Sequence, residues 1–237
     1  MPGWRCSLIY DPRRWGVALI GGLLAVGAAA CGADDRLAQT SKGEYDPETG
    51  VLTAITYDKN GNGRIDTWTR MEGTRPISSE IDTDEDGKID RWEEYDEQGR
   101  LARAGWIRPQ GLTADALAFD PTITPGPDTW LYPSPDGLSH RIEFLDLDND
   151  GNLAVARREF FENQQKVRVE EDKNSDGVID QWETWEAGVL KYAEFDEGDD
   201  GRADRRFTYD KGVIVLIESE PDADGRYTKR VVPGGGR

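Results

Sequence analysis

Thiols, imidazoles and long apolar runs are all scarce in this 237-residue chain. It carries two cysteines, one histidine and two methionines, and only 36% of its residues are apolar. Both cysteines, Cys6 and Cys31, lie near the N-terminus. The body of the chain therefore has no disulfide framework, no thiolate metal site and no redox pair. His140, without a second imidazole or an accessible thiol, reads as an ordinary surface residue rather than a ligand or base. The low apolar fraction leaves material for a thin core only. Basic charge is also short, with 29 Lys and Arg against 47 Asp and Glu and a net charge of −18. That balance argues against nucleic acid, whose phosphates need cationic partners, and towards cations as ligands. No nucleophile elbow, P-loop, dinucleotide fingerprint or zinc constellation is present, and the expectation is that the chain is not an enzyme. Paired carboxylates abound, but a glycosidase pair cannot be singled out from so acidic a background.

What is present begins with an export segment. Arg5, Arg13 and Arg14 precede the apolar run Trp15 to Val26, which is short for a membrane span and ends in small residues as a cleavage site does. Ala28-Ala29-Ala30-Cys31 resembles a bacterial lipobox, departing from it at Ala28, where leucine is usual. The resemblance implies lipidation of Cys31 after removal of residues 1–30. Losing that segment, with its net charge of +2, takes the chain from −18 to −20. Gly32 follows Cys31 where an aspartate is associated with inner-membrane retention, so the outer membrane is the favoured location. Residues 31–44 then read as a polar tether.

The organising feature is an acidic loop that recurs. Aligned on Gly63, Gly87, Gly151, Gly177, Gly201 and Gly225, six loops lie 24, 64, 26, 24 and 24 residues apart, a period that marks a repeat architecture. The fourth, Asp172, Asn174, Asp176, Gly177, Ile179, Asp180 and Glu183, has oxygen side chains at positions one, three and five, glycine at six and carboxylates at nine and twelve. This is the spacing of a loop that wraps Ca²⁺, a hard cation taking six to eight oxygens. Loop 1 has Asp58, Asn60, Asn62 and Asp66, and loop 2 has Asp82, Asp84, Asp86, Asp90 and Glu93. Loop 3 keeps Asp146, Asp148 and Asp150 but has Ala154 at position nine. Loop 5 has Asp196, Asp200 and Asp204 with Gly198 at position three, and loop 6 has Asp222 and Asp224 with Thr228 at position nine. Asp and Asn also cap tight turns with their own backbone hydrogen bonds, which would explain one Asp-Gly turn but not four spaced oxygens.

Turn signals at Gly50, Gly73, Gly99, Asn163, Gly188 and Gly212 alternate with the loops and leave only five to seven residues between them. That length suits strands. The segments VLTAITY, KVRVEE and VIVLIES are rich in β-branched residues. The expected fold is all-β, an elongated antiparallel sheet of repeated hairpins of about 24 residues; EF-hand helix-loop-helix repeats are the alternative, favoured by the spacing of Ile179, Trp182 and Trp185. With a strand after the loop, position twelve lies about 10 Å beyond position nine. Asp66, Asp90, Asp180 and Asp204 would then close the shell, and Glu93 and Glu183 would be ligands only in the helical version. Trp68, Trp92 and Trp182 occupy equivalent points and are expected to stack as core rather than form a carbohydrate platform. Residues 108–140 hold six prolines and read as an insertion without interior strands.

The loops resemble EF-hand-type calcium loops, close in spacing to those of dockerins and thrombospondin type 3 repeats. The unit DTDEDGKIDRWEEYDEQGRLARAGW resembles the repeats of bacterial lipoproteins rich in DxDxDGxxDxW motifs. The resemblance implies Ca²⁺ as the cofactor and no activity. The resulting map is a signal peptide at 1–30, a lipid-anchored tether at 31–44, repeats with loops 1 and 2 at 45–107, the insertion at 108–140, repeats with loops 3–6 at 141–232 and a tail at 233–237. The expected role is structural, adhesive or interacting. Its partners would be a membrane through the anchor and an envelope protein or polysaccharide. The alternative is a carbohydrate-acting or dockerin-like scaffold-docking protein.

Overall fold

The computed structural model describes residues 40–108 and 126–234. Residues 1–39, which hold the expected signal segment, Cys31 and most of the expected tether, lie outside the described residues, as do residues 109–125 and the last three. The elements are β1 (Ser41–Tyr45), β2 (Leu52–Tyr57), β3 (Thr67–Glu72), β4 (Arg75–Ile81), β5 (Arg91–Tyr95), β6 (Leu101–Trp106), β7 (Thr129–Pro133) and β8 (Ser139–Leu147). They continue with β9 (Leu153–Glu162), β10 (Gln165–Glu171), β11 (Gln181–Glu186), β12 (Val189–Phe195), β13 (Arg205–Asp210), β14 (Val213–Pro221) and β15 (Tyr227–Val231). They form one antiparallel sheet in strict chain order, each strand bonded to its sequence neighbours. This is the expected all-β meander, and no EF-hand helix follows any described loop.

Local sequence accounts for the reversals. Asn163-Gln164, Ala187-Gly188 and Lys211-Gly212 each place two consecutive residues at positive φ. That is the type I′ geometry whose twist matches a two-residue hairpin. At Asp46 and Asp96 longer turns close by backbone bonds from Gly50 and Gly99 to the aspartate carbonyls. These turns form one edge of the sheet, and the acidic loops lie along the other.

Register makes the sheet a set of rows. On one face a row runs through all 15 strands: Lys42, Thr56, Trp68, Glu80, Trp92, Gly105, Trp130, Glu143, Arg158, Glu170, Trp182, Glu194, Arg206, Glu218 and Arg230. From Trp68 onwards glutamates alternate with tryptophan or arginine, apart from Gly105. Directly opposed residues are the unit of sheet stabilisation, and opposite charges favour the pairing. Arg158 bridges Glu143 at 3.3 Å and Glu170 at 3.6 Å, while Glu218 is held by Arg206 at 2.5 Å and Arg230 at 3.0 Å. At Gly105 a β-carbon would lie 2.7 Å from Pro127 and 2.9 Å from the Trp130 ring, so the proline rests directly on the strand.

The opposite face carries the buried apolar residues, in one row with Leu131, Ile142 and Phe207. Ala104, Val169 and Ala193 are the buried apolar residues among the described residues. They share a row with Ser79, Glu93, Glu159 and Glu183. The core is thin, as the composition implies.

Three expectations need correction. The tryptophans do not stack: a 24-residue unit is two strands, so Trp68 and Trp92 flank Glu80 across roughly 9.6 Å, twice the interstrand spacing. Trp68 is 39% exposed, Trp92 and Trp182 half-buried. Residues 41–44, expected within the tether, belong to a strand instead, because Ser41–Tyr45 pairs with β2 although all five residues are exposed. Backbone pairing holds this edge strand, and its polar composition conceals it. The sheet also runs through 129–140, with Pro133 tolerated at the end of β7. Arg108 donates its backbone N–H to buried Asp128 at 3.0 Å and pairs with it at 3.3 Å, joining β6 to β7 across the neck of the insertion.

Candidate metal centre

Loops 1, 2, 4 and 5 share one construction. Each fills the nine residues between consecutive strands, at 58–66, 82–90, 172–180 and 196–204. Each closes when the position-nine N–H donates to the carbonyl of the residue before position one, at 3.0, 3.1, 3.1 and 2.8 Å. The position-one carboxylate turns inward and accepts the N–H of the glycine at position six. These bonds are Gly63 to Asp58 at 2.7 Å, Gly87 to Asp82 at 2.9 Å, Gly177 to Asp172 at 2.8 Å and Gly201 to Asp196 at 2.6 Å. The position-nine carboxylate folds back to the N–H of position two: Asp66 takes Lys59 at 2.7 Å, Asp90 takes Thr83 at 3.1 Å, Asp180 takes Lys173 at 3.0 Å and Asp204 takes Glu197 at 3.0 Å. Positions four and six are both left-handed, with Glu85 at φ 61°, Ser175 at 61° and Asp199 at 53° preceding glycines at 79–93°. That double reversal can turn the preceding side chains towards one centre, and in loop 2 it brings Asp82, Asp84 and Asp86 together.

Backbone donors also shape the charge. Burial by itself would raise the Asp58 carboxyl, but N–H bonds from Gly63, Gly61, Asn62 and Asn60 outweigh it and hold the group below its ordinary value. Asp196 is likewise lowered, with burial opposed by Gly201, Gly198, Asp200 and Asp199. Carboxylates fixed in this way stay charged in mildly acidic solution.

Loop 2 differs from the others at one atom. Asp58 Oδ1 accepts from Gly61 at 2.6 Å, Asp172 Oδ1 from Ser175 at 2.7 Å and Asp196 Oδ1 from Gly198 at 2.9 Å. Asp82 is 4% exposed, and its Oδ1 is buried without any hydrogen-bond partner. Leaving a buried charged oxygen unsatisfied is costly, so such an atom calls for a ligand. Asp82, Asp84 and Asp86 each place one oxygen within 4.8 Å of the other two. Two oxygens on one Ca²⁺ cannot stand farther apart than twice the metal–oxygen distance, about 4.6–5.2 Å. The three carboxylates already meet that limit. Asp90 is held nearby, the single Thr83 hydroxyl proton shared between its two oxygens, each 2.6 Å from Oγ1.

Loops 3 and 6 do not share this construction. Strand β8 continues to Leu147, so Asp146 lies in the strand opposite Ala154 and accepts the N–H of Leu147. Asp148 and Asp222 instead cap five-residue hairpin turns, each accepting two backbone N–H groups at 2.8–2.9 Å. Asp96 does the same on the opposite edge. Asp150 and Asp224 therefore belong to tight turns. The physical reason is position nine: without a carboxylate to bond back to position two, Ala154 and Thr228 let the strands zip further. Glu93 and Glu183 stand in strands rather than in the loops. Glu93 accepts from Arg91 and Tyr95, and Glu183 from Gln181 and Trp185. His140 stacks on Phe161 with ring centroids 4.5 Å apart, and burial lowers its pKa.

Sequence spacing gave position four no role, yet it carries contacts between loops. Glu85 of loop 2 reaches Asn60 and, at 2.5 Å, Asn62 of loop 1, and Asp199 of loop 5 takes Asn174 of loop 4 at 3.2 Å. The signal that could have found this is an acid 25 residues after an asparagine at position three, present in both pairs.

Fold and loops together define a single-layer β-meander repeat protein with an acidic loop edge. No family model matches the chain, and neither does any curated protein. Among solved structures, it is similar to part of the GtfA/B complex, with 14% identity, TM-score 0.34 and coverage of 53% of this chain and 24% of that one. The pneumococcal O-GlcNAc transferase GtfA bound to UDP and GlcNAc gives 15% identity, TM-score 0.33 and coverage of 54% and 24%. TcdB2-TccC3 gives 18% identity, TM-score 0.20 and coverage of 81% and 11%. The chain spans about a quarter or less of the length of these structures, and likenesses at such scores carry no argument about its activity.

Proposed function

We propose that this chain is a calcium-binding, lipid-anchored extracytoplasmic repeat protein with a non-enzymatic structural, adhesive or interaction role. The observation that supports ion binding most directly is the unpartnered, buried Asp82 Oδ1 beside Asp84 and Asp86. Four nine-residue loops supplying several protein oxygens each suit Ca²⁺, which takes six to eight in flexible geometry, better than Mg²⁺, which keeps several waters. A sheet with so few buried apolar side chains gains the most from ligands that bind the folded state. The test is thermal unfolding with Ca²⁺ and with chelator. Free ligand at about 100 times its dissociation constant adds roughly 2.7 kcal/mol per independent site, and coincident transitions would overturn the reading. For the anchor, Cys31→Ser is expected to move the protein from the membrane fraction to the soluble one.

The exposure of Trp68 and the half-buried Trp92 and Trp182 favour a second reading, glycan binding on the tryptophan face. Quenching of tryptophan fluorescence by soluble polysaccharide, retained in chelator, would support it.

A further inference from the structure

We propose that loop 2 is the lead cation site and that Glu85 couples it to loop 1, so that the two loops take up divalent cations as a pair. This rests on the calcium reading of the loops and adds how their occupancy is regulated.

Two links join the loops. The first is in the backbone, where the Asp82 N–H, at position one of loop 2, donates to the Asp66 carbonyl, at position nine of loop 1, at 2.8 Å. The second is Glu85. Its left-handed φ of 61° turns the side chain away from its own loop and over the neighbouring one. There the carboxylate accepts the amide nitrogens of Asn60 and Asn62, and the Glu85 carbonyl accepts Arg64 Nη2 at 2.8 Å. With both amide nitrogens held, Asn60 Oδ1 and Asn62 Oδ1 face into loop 1, accepting the N–H groups of Asn62 at 3.0 Å and Arg64 at 2.8 Å. In loop 2 the carboxylates Asp84 and Asp86 accept the equivalent N–H groups at 3.1 and 2.8 Å. Glu85 therefore sets the orientation of two oxygens that would serve loop 1, and it is a positioning residue rather than a ligand.

Charge explains why asparagines stand there. A carboxylate at position 60 or 62 would face Glu85 at hydrogen-bond distance, and like charges so close are repulsive. The amides turn that encounter into donor–acceptor pairs. Asn174 with Asp199 repeats the solution between loops 4 and 5.

The lead role of loop 2 follows from Asp82. Its Oδ1 has no internal partner, whereas the matching oxygen of Asp58 is already satisfied by Gly61 and Asn62. A cation at loop 2 removes the repulsion among Asp82, Asp84 and Asp86, which flank Glu85 in sequence, and so favours the backbone path that places Glu85 on loop 1. Linkage requires the converse effect of loop 1 on loop 2 by the same factor.

The position-six glycines report each loop separately, since each N–H donates to its own position-one carboxylate. The experiment is a Ca²⁺ titration of the ¹⁵N-labelled full chain, following the amides of Gly63 and Gly87, in wild type, Glu85→Ala and Glu85→Gln. Retained dispersion of the strand amides shows that each variant is folded. The expected result is that Glu85→Ala raises the midpoint at Gly63 by about tenfold, within the 5–150-fold span of site coupling. Glu85→Gln, which keeps one acceptor oxygen, should fall between wild type and Glu85→Ala. A Gly63 midpoint within twofold of wild type in both variants, with Gly87 still responding, overturns the coupling and leaves the calcium reading standing. A change at Gly87 alone also overturns it, because Glu85 would then serve only its own loop. No response of either glycine in wild type overturns both.

Discussion

Asp180→Asn and Glu183→Gln, made separately, test how the shell of loop 4 closes. Asp180 Oδ2 faces the loop, accepting Lys173 and Asn174 N–H groups at 3.0 and 3.3 Å. Glu183 lies three residues into β11, bonded to Gln181 and Trp185 at 3.0 and 2.9 Å. A carboxylate about 2.4 Å from a divalent ion contributes roughly 3.5 kcal/mol even at the dielectric constant of water. One about 10 Å away, screened over a Debye length near 8 Å, contributes roughly 0.2 kcal/mol. At 1.4 kcal/mol per decade these become losses of about 300-fold for Asp180→Asn and less than about twofold for Glu183→Gln. The assay is the Ca²⁺ midpoint of the Gly177 amide, supported by calorimetric titration. A larger loss from Glu183→Gln than from Asp180→Asn would refute the assignment and return position twelve to the shell.

Three further outcomes are expected. Native mass spectrometry should find four Ca²⁺ per chain at saturation, from loops 1, 2, 4 and 5; six would show that the tight turns at Asp148 and Asp222 open to bind. Gly105→Ala forces a methyl against Pro127 at 2.7 Å and Trp130 at 2.9 Å, where strand and ring have little room to give. It should destabilise the sheet by about 1–3 kcal/mol in urea unfolding. The lowered Asp58 and Asp196 groups contribute stability above the ordinary carboxylate pKa near 3.9, and that contribution disappears as pH falls through their folded values. In chelator, unfolding free energy should therefore drop below about pH 4, and Asp58→Asn with Asp196→Asn should flatten the drop.

Much of the architecture was legible because the period constrained it. Between Asp90 and Asp96 there was room only for a strand, and the turn residues at Asn163, Gly188 and Gly212 stand at the hairpin reversals. The loops were harder to sort, since the Asp84–Gly87 run DEDG of loop 2 has the same form as DNDG and DADG in the tight turns at Asp148 and Asp222. Ala154 and Thr228 carried the difference, but a carboxylate missing from position nine does not by itself announce a different backbone. Strand β1 escaped notice because its stability comes from backbone pairing, which SKGEY does not advertise. The role of Glu85 depends on two units lying side by side on one edge, a relation that spacing within a single loop cannot show. The tryptophan row was misread for a related reason, because equivalent positions recur on alternate strands and leave Glu80 and its counterparts between them.

The strict chain order of the sheet has a consequence for how such a protein can vary. A unit of 24 residues contributes two strands, which is the smallest addition that restores both chain direction and the edge on which the next loop emerges. Inserting or deleting one unit therefore lengthens or shortens the sheet by roughly 9.6 Å without inverting a face or breaking a row. Adding a single strand would exchange the two edges for everything downstream. Length in this molecule is thus adjustable in whole units, and each added unit brings its own acidic loop into line with the others.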